Sequence, residues 1–389
     1  MVFYMADDLL EKKYADAANA IIKAGIIPFP NNDTVHEILK NYLDEDDLDF
    51  IIKAFKGKPS LSIDEVVKKT KLSPEEVEEK ADRLAKKGFI FNQPSSSGLM
   101  VYRLLPLEVV GTMEYTYMQP LPEDPEQVER LKKLAALYDN LLGQLAEKVQ
   151  ENFDGLTPMF EKMPPTDRTV PIYQNIGGSE VNVEINQEVA AKEVVLPAQT
   201  VEDIINKFDD IAVGNCFCRQ QAALLGQPCK TNAPLEVCFT FGKSARHTIA
   251  QGFARRVSKE EAIDILKSTD EAGLVHKAFH NGSDITKEEN SICNCCKDCC
   301  HTFQYWRMGA LPMTNSTSYL SHVIQDGCTG CGMCVDRCPM DAITLNDDAK
   351  AEVNEQLCIG CGVCAHFCPE NTIMLQQGLR TVFALPPRK

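Results

Sequence analysis

From residue 47 onward the apolar positions change period several times, and each change predicts an element. "DLDFIIKAFKG" (47–57), "SIDEVVKKT" (62–70) and "SPEEVEEKADRLAKKG" (73–88) place apolar residues three and four apart, which gathers one face of a helix. In the third, Ser73 stands at the cap, Pro74 suits the first helical position, and Val77, Ala81 and Leu84 form the stripe. Two strand-like runs follow, "FIF" (89–91) and "MVYRLL" (100–105), around the turn-forming "NQPSSSG". Residues 125–152 carry one long stripe, Val128, Leu131, Leu134, Tyr138, Leu141, Leu145 and Val149, which reads as core packing or, second, as the seam of a homo-oligomer. "MPPTDRTVPIYQNIGGS" (163–179) reads as an extended linker, and its glycines at 177–178 are too weak a signal for a phosphate site. Beyond it, "TVEDIINKFDDIAVGNC" (200–216) and "SKEEAIDILKSTDEAGLVH" (258–276) each predict a helix running into a strand; Ser258 and Glu261 fit a capping box and Gly273 a helix stop.

Three helices followed by two strands is winged-helix order. The expected fold class is therefore α+β and multidomain: a winged-helix-like docking domain over 1–115, the amphipathic helix and linker over 116–180, an α+β cysteine-rich domain over 181–315, and a final domain over 316–389. In a DNA reader the third helix enters the major groove. Here it opens with Glu75, Glu76, Glu78 and Glu79, which would face phosphates with like charge, while Lys68, Lys69 and Lys71 lie at the end of the helix before it. Protein docking is the expected role and a redox-responsive transcription regulator the alternative.

Composition then narrows the chemistry. The chain has 389 residues, a formal net charge of −16 and a 44% hydrophobic fraction, which fits a globular protein and disfavours general nucleic-acid binding. No apolar run is long enough to span a bilayer and no basic and apolar leader opens the chain, so a cytoplasmic location without a direct membrane span is expected. There, the 17 cysteines argue for metal or redox chemistry over disulfides. None precedes Cys216, so every thiol belongs to the second half. No nucleotide-binding fingerprint occurs, which makes a flavin or nicotinamide site unexpected.

Residues 328–389 contain "CTGCGMCVDRCP" (Cys328, Cys331, Cys334, Cys338) and "CIGCGVCAHFCP" (Cys358, Cys361, Cys364, Cys368), two copies of C-x2-C-x2-C-x3-C-P. "AITL" (342–345) and "TIML" (372–375) extend the repeat as a strand after each cluster turn. Gly330, Gly332, Gly360 and Gly362 suit loops that turn tightly and bring backbone N–H groups to sulfur. Zinc is the bland alternative, but zinc knuckles use paired ligands rather than two four-cysteine runs ending in Cys-Pro. These runs resemble the two-cluster bacterial ferredoxins, and the resemblance implies one [4Fe-4S] cluster on Cys328, Cys331, Cys334 and Cys368 and another on Cys358, Cys361, Cys364 and Cys338.

The middle cysteines fall in two sets. Cys216, Cys218, Cys229 and Cys238 offer the four thiolates of a further cluster or a structural zinc, or are buried unused thiols. Cys293, Cys295, Cys296, Cys299 and Cys300 lie in "SICNCCKDCC"; a strand ending near Cys295 would point Cys293 and Cys295 to one side, and a helical turn would gather Cys296, Cys299 and Cys300. One or two further iron–sulfur clusters over 216–300 are expected, and one site drawing on both sets stays open. His301 is read as a hydrogen-bonding neighbour rather than a ligand, and Trp306 as core packing rather than an electron relay.

With the two C-terminal runs and the winged-helix-like segment before them, "CFCRQQAALLGQPC…EVCFTFG…GLVH…ICNCCKDCC" is similar to a family of multidomain iron–sulfur proteins of anaerobic prokaryotes described as ferredoxin-type. The resemblance implies an electron carrier or subunit passing single electrons to or from a separate oxidoreductase complex. A reductase with a catalytic cluster in 216–300 is the other enzyme-class reading. The family's loop run is denser in cysteine, and here Asn294, Lys297 and Asp298 interrupt it.

Overall fold

A computed structural model describes residues 2–95, 97–172 and 200–389. The chain divides into two compact units. The first comprises residues 1–145, 220–228 and 246–255; the second comprises 146–219, 229–245 and 256–389.

In the first unit, helices Glu45–Phe55, Ile63–Thr70 and Pro74–Lys86 accompany strands β1 (Ser60–Ser62), β2 (Ile90–Pro94) and β3 (Met100–Leu104), which pair in the order β1-β3-β2. The helix starts are set by reciprocal caps. Ser73 Oγ accepts from the Glu76 N–H at 3.2 Å while the Glu76 carboxylate accepts from the Ser73 N–H at 2.7 Å, and Ser62 with Glu65 repeats the arrangement. Leu48, Ile51, Val66, Val77, Ala81, Leu84 and Tyr102 are buried, so the expected stripe does face the core. The long helix Pro125–Glu151 buries Leu134, Tyr138, Leu141, Leu145 and Val149, so most of its stripe is used for this chain's own packing rather than as a seam.

The second unit is built on a mixed sheet. Its strands are β4 (Asp167–Val170), β5 (Ile211–Asn215), β6 (Glu236–Phe241), β7 (Arg255–Arg256), β8 (Val275–His280), β9 (Glu289–Cys295), β10 (Met313–Val323) and β13 (Ile373–Ala384); β11 (Ile343–Leu345) and β12 (Ala351–Val353) form a separate hairpin. The sheet order is β13-β10-β4-β8-β9-β6-β5-β7. Two sequence expectations change here. Residues 167–170, read as linker, form a strand parallel to β10 and antiparallel to β8. The segments read as separate domains over 181–315 and 316–389 share one sheet, because β10 and β13 extend it. The rest of the linker, the glycines at 177–178 and the 180/181 boundary lie outside the described residues.

Period-two alternation gives this sheet two different faces. Phe239, Phe241, Ala278 and Ile292 pack with Ile204, Ile205, Ala262 and Leu266 from helices Val201–Asn206 and Lys259–Glu271. Val275 and Cys295 belong instead to a core shared with Cys300, Phe303, Met313 and the buried C-terminal cysteines. One face is hydrocarbon and the other is rich in sulfur.

Candidate metal centres

The two C-terminal runs enclose two cavities. One, of about 330 Å³, is lined by Cys328, Cys331 and Cys334 of the first run with Cys368 of the second. The other, of about 300 Å³, is lined by Cys358, Cys361 and Cys364 with Cys338 of the first run. Each cavity thus takes three cysteines from one run and one from the other. Gly330 and Gly360 occupy equivalent turns with φ of 70° and 64°; a Cβ there would stand 2.0 Å from the Ala349 carbonyl oxygen and 2.2 Å from that of Tyr319. Only glycine lets these backbones approach so closely.

Donors already point at the sulfurs. Ala342 N–H reaches Cys338 Sγ at 3.2 Å, Ala351 N–H reaches Cys328 Sγ and Thr372 N–H reaches Cys368 Sγ, both at 3.4 Å, and the Ser321 hydroxyl lies 3.2 Å from Cys364 Sγ. Such bonds stabilise thiolate charge and tune a bound metal. Burial pushes the Cys361 thiol well up and Cys364 up to about 12, so a bound cation must hold these ligands deprotonated. The donor set and the N–H groups aimed at sulfur fit an iron–sulfur cluster in each cavity. The cavities differ in exposure: Cys331 is exposed and Cys328 and Cys368 are half-buried, whereas Cys338, Cys358, Cys361 and Cys364 are all buried.

The repeat is less symmetric in its strands. After the first run β11 pairs with its own neighbour β12, whereas after the second run β13 pairs along β10.

The nine middle cysteines divide differently from their order in the chain. Six form a closed ring in which each thiol is within hydrogen-bonding reach of two others: Cys216, Cys218, Cys300, Cys295, Cys293, Cys238 and back to Cys216. Sheet register explains the convergence. Phe239 pairs with Ile292, so Cys238 falls beside Cys293 one step along, and Cys295 follows on the same face. Cys216 leaves β5, Cys218 opens helix Phe217–Leu224, and Cys300 caps helix His301–Arg307. Around the ring, neighbouring thiols hold Cys216 and Cys300 well below the usual range and Cys293 down to about 6. Burial and the same bonds push Cys218, Cys238 and Cys295 up. Lowered and raised thiols alternate around the ring. Beside it the buried Lys277 ammonium pairs with Asp167 at 2.6 Å and faces Cys295 and Cys300.

The other three, Cys229, Cys296 and Cys299, gather with Asp298, and their ligand atoms all lie within 4.8 Å of one another. Two sequence readings are corrected. Cys229 stands apart from the ring formed by Cys216, Cys218 and Cys238. Residues 297–299 form a turn rather than a helix, because the following helix begins only at His301, and this turn sends Cys296 and Cys299 one way and Cys300 the other. Asp298, read as an interruption, is part of the tetrad. Its position between Cys296 and Cys299 was the available signal. Lys277 carried no spacing signal at all. His301 donates its backbone N–H to Cys218 Sγ at 3.3 Å, and Trp306 packs beside the sulfur-rich core with its Nε1–H on the Leu385 carbonyl at 2.9 Å.

Residues 321–375 match the 4Fe-4S dicluster domain, which makes the chain an iron–sulfur protein with a ferredoxin-type C-terminal part. A 30-residue stretch is 67% identical to the "Probable ferredoxin" of Methanosarcina thermophila, covering 8% of this chain and 52% of that protein. The chain thus spans about half the length of the curated relative it matches. No solved structure matches it. Among the described residues no helix is long and apolar enough to cross a membrane.

Proposed function

We propose that this protein is a cytoplasmic single-electron carrier or subunit, relaying electrons to or from a separate oxidoreductase through two C-terminal [4Fe-4S] clusters and at least one further cluster. Cys328, Cys331, Cys334 and Cys368 hold the first, Cys358, Cys361, Cys364 and Cys338 the second, and the six-thiol ring the third. A bound cluster supplies reversible one-electron transfer at thiolate-ligated iron. The protein's part is to fix the thiolates, donate N–H and O–H bonds to sulfur and exclude water. The observation that carries this reading is the 3+1 sharing of cysteines between the two cavities.

The exposure difference suggests a direction. The first cavity opens beside Met333 and Leu345, both about 40% exposed, as an edge where a partner's cofactor can come close. The second cavity's cysteines share one buried core with Cys295 and Cys300 of the ring, so the inner route runs through packed side chains rather than solvent. The winged-helix-like segment of the first unit serves as a protein-docking module, since four glutamates begin its third helix.

Anaerobically purified protein should hold at least about twelve irons, four per cubane, and reduction should give coupled EPR signals. Cys338→Ser should perturb the cluster of Cys358, Cys361 and Cys364 before that of its own run. Zinc in place of iron at the C-terminal runs would sink the reading. One observation favours a second reading, a reductase working at the ring: six thiols gather where a cubane takes four. Substrate-dependent oxidation of the reduced protein, lost in ring variants alone, would select it.

A further inference from the structure

We infer that Cys229, Cys296, Cys299 and Asp298 form a site for a single tetrahedral thiophilic divalent ion, zinc, separate from every iron–sulfur cluster of the chain. This divides the middle cysteines into six for redox iron and three for a structural ion.

The geometry decides nuclearity. Four atoms within 4.8 Å of one another are close to the spacing around one ion, since bonds of ~2.3 Å in a tetrahedron put sulfurs ~3.8 Å apart. A cubane carries each thiolate on a different iron, so its four sulfurs stand around a wider cage. Three thiolates with one carboxylate also suit zinc, which accepts sulfur and oxygen together and fills a structural site with four ligands.

The surroundings are built for the same charge. Asp298 Oδ2 accepts from the Lys230 N–H at 2.6 Å, which leaves Oδ1 directed at Cys229 Sγ, 3.7 Å away. Gln304 Nε2 donates to the Asp298 carbonyl and Arg307 to that of Lys297, so the turn carrying the ligands is braced from the following helix. Arg219 is only 4% exposed, and its Nε and Nη2 have no hydrogen-bond partner among the described residues' oxygens and nitrogens. Its guanidinium lies near Cys229, Cys296 and Cys299 and also near Cys216 of the ring. Its Nη1 donates to the Pro234 carbonyl, so the charge and the remaining Nε and Nη2 donors are what burial leaves uncompensated, a cost that negative charge nearby offsets. Three thiolates and a carboxylate around a divalent ion supply that charge. Binding releases the thiol protons to solvent and changes no oxidation state.

The site ties the loop at Cys229 to the turn that follows β9. The same turn delivers Cys300 to the ring.

The test is metal analysis of the full-length protein purified anaerobically in zinc-supplied medium, with iron and zinc counted together. One zinc per chain should accompany the iron. Cys229→Ser with Cys296→Ser should abolish the zinc and leave iron and the cluster EPR signals in place. Asp298→Asn, which keeps shape and removes one charge, should weaken zinc binding at least ~100-fold, the scale on which even supporting residues act. Asp298→Cys should retain the ion, and cobalt in its place should shift from the ligand-field spectrum of an S3O site to that of an S4 site. Loss of iron instead of zinc in the Cys229 variant would overturn the proposal, as would a folded Asp298→Asn protein whose zinc affinity is unchanged. Absence of zinc and of cobalt uptake in protein that retains its C-terminal clusters would also overturn it, and would leave the electron-transfer reading standing.

Discussion

The two compact units solve the problem of a protein interior in opposite ways. The first contains no cysteine and closes over Leu48, Ile51, Val66, Val77, Leu84 and their aromatic neighbours, a hydrocarbon interior that water alone drives together. The second fills one face of its sheet with thiols, which repay burial poorly until a metal binds them. The first unit's fold should therefore depend on sequence alone, and the second's on sequence and iron together.

The widest test of this difference is iron removal from the full chain. Chelation under reducing conditions should open residues 256–384 to proteolysis while 45–118 stays protected. The loss should be comparable to the whole ~5–15 kcal/mol stability of an ordinary domain. Equal protection of both regions in iron-free protein would erase the contrast.

The next effect lies at the buried pair under the sulfur ring. Lys277→Met strands the Asp167 carboxylate, which is fully buried, and should cost roughly 3–5 kcal/mol in the iron-loaded protein. Lys277→Met with Asp167→Leu should recover much of that. If the double variant recovers stability but shifts the ring's redox potential, the ammonium was serving the sulfur rather than the fold.

In the first unit the largest single-residue effect should come from pH. His247 is fully buried against Phe91, Tyr115 and Phe253, and burial first, then Arg103, lowers its pKa to about 4. Between that value and the usual ~6.5 the unfolded chain binds a proton that the folded chain refuses. Its contribution is complete above ~6.5 and falls away as pH drops to about 4, a loss of ~3 kcal/mol. Replacing His247 by Phe should flatten the unit's stability between these pH values; an unchanged slope would assign the titration elsewhere. Smallest is the cap: Ser73→Ala should cost ~1 kcal/mol of helix stability, measured by denaturant unfolding of iron-loaded protein, and leave cluster signals untouched.

The legible parts of the molecule were those whose geometry is local. The C-terminal runs hold their cysteines in short loops of regular spacing, and the resemblance of those runs to two-cluster ferredoxins implied the 3+1 sharing that the cavities display. Helix starts at Ser62, Ser73 and Ser258 were legible for the same reason. The ring was not, because Cys238 and Cys293 become neighbours only through the register of β6 on β9, and spacing says nothing about register. Residues 167–170 were misread because proline at 164, 165 and 171 marks them as loop, although the segment between fits a strand covered on both sides by β8 and β10. Asp298 was passed over as a break in a cysteine run when a carboxylate is itself a ligand.

Strands β10 and β13 pair from Met313 with Ala384 to Val323 with Ile373, with one register shift between Thr317 and Tyr319. Everything between Val323 and Ile373, both cysteine runs included, is therefore the connection of a single hairpin. Chain enters and leaves through adjacent positions, so this stretch is a cassette with a fixed socket. Insertions at such closely spaced ends are tolerated well. An electron-carrying module of another potential could be exchanged there without redrawing the sheet, which gives this architecture a way to be retuned to new redox partners by substitution of one contiguous segment.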